Sequence, residues 1–440
     1  MNMRRILILL LLIIGISGTA YSQAAREVVS YEGLERRLER SDRQIDPGQH
    51  NFFDRLFNRH ERPQTWLNRA DVFFDIYEAN IAFIRFGMPV DEFILFFGEP
   101  EEKRTKEMER AEWDVYVYPR IKFYFEQDVL VAWDETETVH EDPLPEALSA
   151  IEQAIELDED GRQEDDIEEK LIRLNNNFVN AAINAYEKDD FQESFENFRY
   201  SIRVIEMPHY TMQIDTAVYY NTGFLASQIG NHEEALQFYE KAKELNYGGA
   251  NTYLLIKDSY MALGDTLKAE ETLQEGFAEY PQDNALLVEM INFYLESDRG
   301  ESAMEYLELA IEQEPDNPSY YFAMGALLER QDKSDEALEA YITAHEIDPE
   351  LFEVNYNLGA FYYNKALDMF DAANEIVDNV EYQKAREEAF DVLEQALPYM
   401  EKAHEVNPDD QDTMETLRIL YYRLGMEEKY EEMNRKLGHQ

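Results

Sequence analysis

The sequence predicts a mainly α-helical protein: an α-solenoid of helix-turn-helix repeats with a small α+β unit near the N-terminus. Three observations carry that prediction. The second half repeats itself every 34 residues, residues Ile81 to Trp133 change to strand-like alternation, and the charge is strongly one-signed. The 440 residues hold 93 Asp and Glu against 40 Lys and Arg, a formal charge of −53. Nucleic acid and anionic membrane surfaces are thereby excluded as partners, because both recruit Lys/Arg patches to neutralise phosphate. With 45% hydrophobic and 13% aromatic residues, the chain can still build a core. It contains no cysteine, which excludes disulfides, thiolate metal sites, thiol catalysis and a lipid-bearing Cys.

The first element is an address. Arg4 and Arg5 precede an eleven-residue apolar run, Ile6 to Ile16, and Ala20 and Ser22 suit cleavage before Gln23. That run is about half of the ~20 residues a membrane-spanning helix needs. Residues 1–22 are therefore expected to be a cleavable signal peptide, giving an exported chain that is not a lipoprotein. The periplasm is the leading location, with secretion or loose envelope association as alternatives. Helices are expected within 26–80, one of them at 63–79. Residues 81–134 form the α+β unit. FGMPVDEFILFFGEP gives a short helix, with Pro89 near its first turn, Asp91 and Glu92 at the positive dipole end, and Gly98 and Pro100 as the stop. Three strands follow, Trp113 to Tyr118, Ile121 to Phe125 and Val129 to Trp133, with Glu126-Gln127-Asp128 tight enough for a hairpin. Gly87-Met88, Gly98-x-Pro100, Trp113 and the last hairpin ending in Val131 and Trp133 resemble the SmpA/OmlA (BamE-like) domain of envelope lipoproteins. That resemblance implies a setting in outer-membrane assembly, although the lipidated Cys of that family is missing here.

Residues 135–174 read as an acidic linker with a helix at 145–158. Within it, Asp158-Glu159-Asp160-Gly161 has the look of a calcium loop. With Gly161 as the central glycine, the twelfth position is Ile167, where a bidentate Glu is required, so a solvated linker is the better reading.

The repeats occupy 175–440. Ala235, Ala269, Ala303 and Ala337 lie 34 residues apart, as do Tyr239, Leu273, Leu307 and Tyr341, and Ala242, Gly276, Ala310 and Ala344. Tyr247, Pro281, Pro315 and Pro349 close the same units. Small, bulky and small residues at offsets 0, 4 and 7 define one helix face. A preceding helix carries Tyr219-x2-Thr222-Gly223-x2-Ala226 or Tyr321-x2-Met324-Gly325-x2-Leu328. These residues resemble the tetratricopeptide repeat (TPR), and the units are 175–215, 216–249, 250–283, 284–317, 318–351, 352–410 and 411–440. The sixth carries an insertion of about 25 residues, expected as two lengthened helices because Leu367, Phe370 and Ala373 keep helical spacing. Trp66-x2-Arg69-Ala70-x2-Phe73 and Ala147-x3-Ile151-x2-Ala154 fit the two helices of a first repeat split by the α+β unit.

Catalytic signatures are absent: no phosphate loop, no G-x-S-x-G elbow and no H-E-x-x-H pair. His50, His60, His140, His209, His232, His345, His404 and His439 show no ligand spacing, and no cofactor or metal is expected. The one concentrated polar-aromatic group, Asp114, Tyr116, Arg120 and Trp133, is read as a sheet face. The TPR resemblance implies a partner groove on the first helices, which by register holds Tyr220, Phe224, Asp258, Asn292, Phe322, Glu329, Tyr356 and Tyr363. This acidic and aromatic set suits a basic or apolar extended protein segment. The resulting reading is a non-catalytic scaffold or adaptor for protein partners in envelope biogenesis. A glycan- or small-ligand-binding accessory protein is the alternative, and an enzyme comes third; the oligomeric state is left open. The charge excess belongs to the repeats: after residue 140 there are 68 acids and 22 bases.

Overall fold

A computed structural model describes residues 30–46, 48, 59–108 and 111–438. The expected signal peptide lies outside them. Eighteen α-helices, a 3₁₀ helix at Arg59–Glu61 and one four-stranded sheet make up the described residues, which divide into two units, residues up to 269 and residues from 270.

In the first unit, helix α1 (Tyr31–Ile45) is capped by Ser30, whose side chain accepts the Gly33 N–H. Helix α2 (Pro63–Glu78) starts at a proline, where the missing N–H costs nothing. Leu67, Ala70, Phe73 and Phe74 of α2 share a buried core with Ala147, Leu148, Ile151 and Ala154 of α4 (Pro143–Leu157). Helix α5 (Glu164–Glu187) adds Ile167, Leu171, Leu174 and Phe178 to that core. Arg69, an unusual residue for its repeat position, turns to α1: it pairs with Asp42 at 2.6 Å and lies 4.8 Å from the centre of the Phe73 ring.

Between α2 and α4 stand helix α3 (Val90–Phe97) and the sheet, a meander β1 (Glu102–Glu107), β2 (Glu112–Tyr118), β3 (Ile121–Glu126) and β4 (Val129–Glu135). All neighbours are antiparallel. The sequence predicts three strands and the structure has four. The extra one, EKRTKE, is exposed at every position, so it shows no apolar alternation; backbone pairing and the Lys103 and Lys106 ammonium groups over Tyr116 and Tyr124 hold it. Gln127 and Asp128 turn β3 into β4 with φ of 50° and 63°, the paired positive values of a two-residue hairpin turn. Ile121, Phe123 and Phe125 pack with Phe93 and Trp133 on one face, and Trp113, Val115, Tyr124 and Ala132 fill the other.

The acidic linker is shorter than expected, because residues 164–174 belong to α5. Glu164, Asp165 and Asp166 suit the positive end of that helix, and its apolar positions are buried. Asp158, the first acid of the calcium-like run, accepts the N–H groups of Arg162 (3.1 Å) and Gln163 (2.9 Å) just ahead of α5.

From α5 onward the helices run in pairs, α5 with α6 (Phe191–Ile205) and α7 (Ala217–Gln228) with α8 (His232–Glu244); α9 (Ala250–Ala262) and α10 (Thr266–Glu279) follow in the chain. Next come α11 (Asn284–Glu296) with α12 (Gly300–Gln313), and α13 (Pro318–Arg330) with α14 (Ser334–Ile347). Then α15 (Phe352–Asn374) pairs with α16 (Asn379–Val406), and α17 (Gln411–Arg423) with α18 (Glu427–Lys436). The insertion takes the form of two long helices, α15 with 23 residues and α16 with 28.

The small residues act where helices cross. A Cβ on Gly223 would meet the Tyr239 ring at 2.7 Å, one on Gly325 the Tyr341 ring at 2.6 Å, and one on Gly359 the Met400 side chain at 2.6 Å. Part of the acid excess is structural too. Asp190, Asp283, Asp378 and Asp410 cap helix N-termini with their side chains.

Candidate functional site

The eight groove positions fall three in the first unit and five in the second. In the first, Tyr220 is not at a surface. It is buried, its hydroxyl accepts the Asn251 amide N–H at 2.7 Å, and its ring meets Tyr239 and Tyr247 edge-on. The reason is local. This unit ends Tyr247-Gly248-Gly249, and Gly248 at φ 81° brings the turn so close that a Cβ there would sit 2.9 Å from the Tyr220 ring. Phe224 is half-buried against the same core, and Asp258 is exposed beside the Lys257 ammonium.

In the second unit no groove position is fully buried, although its three aromatic rings rest on core clusters as Phe224 does. Asn292 and Glu329 are exposed, and Phe322, Tyr356 and Tyr363 are half-buried on α13 and α15. Phe322 leans on Tyr341 at 6.0 Å, and the Tyr341 hydroxyl donates to Glu329 at 3.0 Å. Tyr356 stacks on Phe352 at 6.0 Å. Burial raises its hydroxyl pKa, and the nearby Asp412 and Asp410 carboxylates raise it further. Those acids begin α17, so Tyr356 lies in a negative field that favours a cationic neighbour. Arg330, next to Glu329, is already paired with Asp298 at 2.7 Å.

The polar group of the sheet does not converge. Asp114 is exposed opposite Phe125, and Tyr116 packs on Phe125 beneath Lys103. Arg120 covers Tyr31 at 4.0 Å, while the Trp133 ring stacks on Phe86. Instead the sheet is tied to helices by single polar side chains that sequence reasoning did not single out. The Asn184 amide on α5 accepts the Trp133 N–H at 2.8 Å and donates to the Trp133 carbonyl at 3.1 Å, closing the β4 edge. Asn80 donates to Glu135 and to the Tyr31 hydroxyl, both at 2.7 Å. Among the described residues no group of three or more His, Asp or Glu could hold a metal ion, and no helix is long and apolar enough to cross a membrane.

Models of the tetratricopeptide repeat match residues 216–247 and 260–330. The chain carries tetratricopeptide repeats, and its class is that of repeat proteins that generally bind other proteins. It is 24% identical over 180 residues to human protein O-mannosyl-transferase TMTC1, covering 37% of this chain and only a fifth of that protein. Among solved structures it is similar to YrrB, described as a TPR protein with an unusual peptide-binding site (23% identity, TM-score 0.32, 46% of this chain and 91% of that one). It is also similar to PilF of Pseudomonas aeruginosa (16% identity, TM-score 0.37, 50% and 90%) and to a TPR protein of Bacteroides fragilis (18% identity, TM-score 0.28, 57% and 98%).

Proposed function

We propose that the protein is a non-catalytic TPR scaffold or adaptor that binds protein partners in the Gram-negative periplasm, in the service of envelope biogenesis. The observation that carries this reading is the row of half-buried aromatics on first helices, Phe322, Tyr356 and Tyr363, flanked by Glu329, Asp410 and Asp412. Half-buried rings beside carboxylates fit a basic or apolar extended segment, whose backbone such repeats can hold along the helices. The repeats support the interaction role, and the N-terminal sequence with the SmpA/OmlA resemblance of residues 81–134 supports the location. The test is a double substitution, Phe322→Ala with Tyr356→Ala. Affinity purification from the native envelope should lose its main partner while the melting temperature stays within a few degrees. Unchanged recovery of that partner would remove the groove from the account.

A further inference from the structure

The inserted arm of the sixth repeat ends in a tip unlike the turns of its neighbours. The second to fifth units turn at Gly230, Gly264, Asp298 and Asp332, each with positive φ. Between α15 and α16 the chain reads Ile376-Val377-Asp378-Asn379-Val380 instead. Val377 is fully exposed, Val380 is 79% exposed and Ile376 is half-buried. Single exposed apolar side chains are ordinary, but three aliphatics within five residues make a patch. At 23 residues against 13 for α13, α15 is about 15 Å longer. Arg423, the last residue of α17, lies over the Phe370 ring at 6.0 Å, so the final turn of α15 passes the end of that neighbour. The arm behind the tip is well packed. Ala373 and Ala389 are buried, Phe370 meets Phe390 edge-on at 4.9 Å, and Asp378 caps α16 by accepting the Val380 N–H at 2.9 Å and the Glu381 N–H at 3.0 Å.

The charge around the patch is one-signed. From Ala366 to Glu381 there are five acids and no base. The next two bases are committed, Lys384 to Glu388 at 3.6 Å and Arg386 to the rings of Tyr382 and Phe390. Asp371 and Glu375, exposed and one turn apart, stand at the C-terminal end of α15. That is the negative end of the helix dipole, where a base would be favoured, so helix stability argues against both acids. The same field selects the occupant. A second copy would bring the same carboxylates and an anionic membrane its phosphates, and both are repelled. We propose that the tip is a knob for a folded protein partner with an apolar pocket rimmed by Lys or Arg. Val377 and Val380 enter the pocket, and Asp371, Glu375 and Glu381 meet the rim. None of the eight groove positions takes part, so this partner is distinct from the extended segment of the groove.

The test places a photoreactive phenylalanine at Val380 of the full chain in the native envelope, with the exposed Lys333 of the α13–α14 turn as the control position. Position 380 should give a discrete protein adduct that 333 does not give, and mass spectrometry should find the crosslink in a partner peptide of apolar residues with Lys or Arg. The adduct should survive Phe322→Ala with Tyr356→Ala. Asp371→Lys with Glu375→Lys should cut its yield about fivefold or more while the melting temperature holds or rises, because bases suit that helix end. Val377→Asp, at a side chain fully in solvent, should cut it by a similar factor with the fold intact. An adduct to a second copy or to lipid, no adduct, an unchanged yield after either change at the tip, or loss of the adduct with the groove pair would overturn the proposal.

Discussion

In the hairpins α7/α8, α13/α14 and α15/α16, a glycine on the first helix lies under a large side chain of the second. The N-terminal helices share an apolar core too, but there and at the sheet charged and amide side chains also cross between elements. Arg173 on α5 reaches Glu78 at 2.8 Å and Asp75 at 3.4 Å on α2, covers the Phe74 ring, and has Lys170 paired with Asp71 beside it. Shape complementarity holds the repeats, and it recurs because the period recurs. Polar contacts are made once each, and they hold elements that have no symmetry to exploit.

Three substitutions sharpen this contrast. The largest effect should come from Arg173→Met, which leaves Glu78 only the Asn177 amide at 2.8 Å, while Asp75 keeps Arg37 at 2.7 Å. Breaking a fully buried pair costs about 3–5 kcal/mol, and the partial exposure of Arg173 reduces that to about 2 kcal/mol, read as a lower urea midpoint. Next comes Gly325→Ala. Overpacking against the Tyr341 ring costs about 1–3 kcal/mol and the gain in helix propensity returns about 1, leaving a net loss near 1 kcal/mol. Gly359→Ala meets Met400 Cγ at 2.6 Å, and since a thioether side chain can rotate where a ring cannot, it should cost less than Gly325→Ala. Equal losses at the two glycines would contradict the packing account.

The smallest effect concerns pH. Burial raises the Glu135 carboxyl above its ordinary 4.5, against the hydrogen bond from Asn80. The native state therefore holds that proton more tightly than the unfolded chain. Its contribution is fully present below the unfolded value and is lost as pH rises through the raised one. Glu135→Gln keeps an acceptor for Asn80 and should flatten the fall in melting temperature above pH 4.5. The adjacent Asp134 has the opposite sign. Burial raises it, but hydrogen bonds from Lys188 and Tyr124 outweigh that and hold it low, so Asp134→Asn should cost stability at neutral pH and little in acid.

The same contrast explains what could be read from sequence. Ala235, Ala303 and Ala337 announce the repeats because each must be small at the same crossing, and all three are fully buried. β1 was invisible because an exposed edge strand needs no apolar pattern. The start of α5 was hidden by acids that look like linker but suit a helix N-terminus. Tyr220 was placed in the groove by register, which cannot register the glycine turn that closes over it. Asn184 and Asn80 gave no local signal, since their partners lie on distant strands. The tip of the inserted arm did leave one: Ile376, Val377 and Val380 stand where earlier units turn on glycine or aspartate.

The central claim, that partners lie on the first-helix aromatic row, is tested most directly by photocrosslinking in the native envelope. A photoreactive phenylalanine would replace Tyr356 in one strain and the fully exposed Val377, between α15 and α16, in another. The account predicts a discrete protein adduct from position 356 that is absent from 377 and lost when Phe322→Ala is added. The same adducts from both positions, or none from 356, would contradict it.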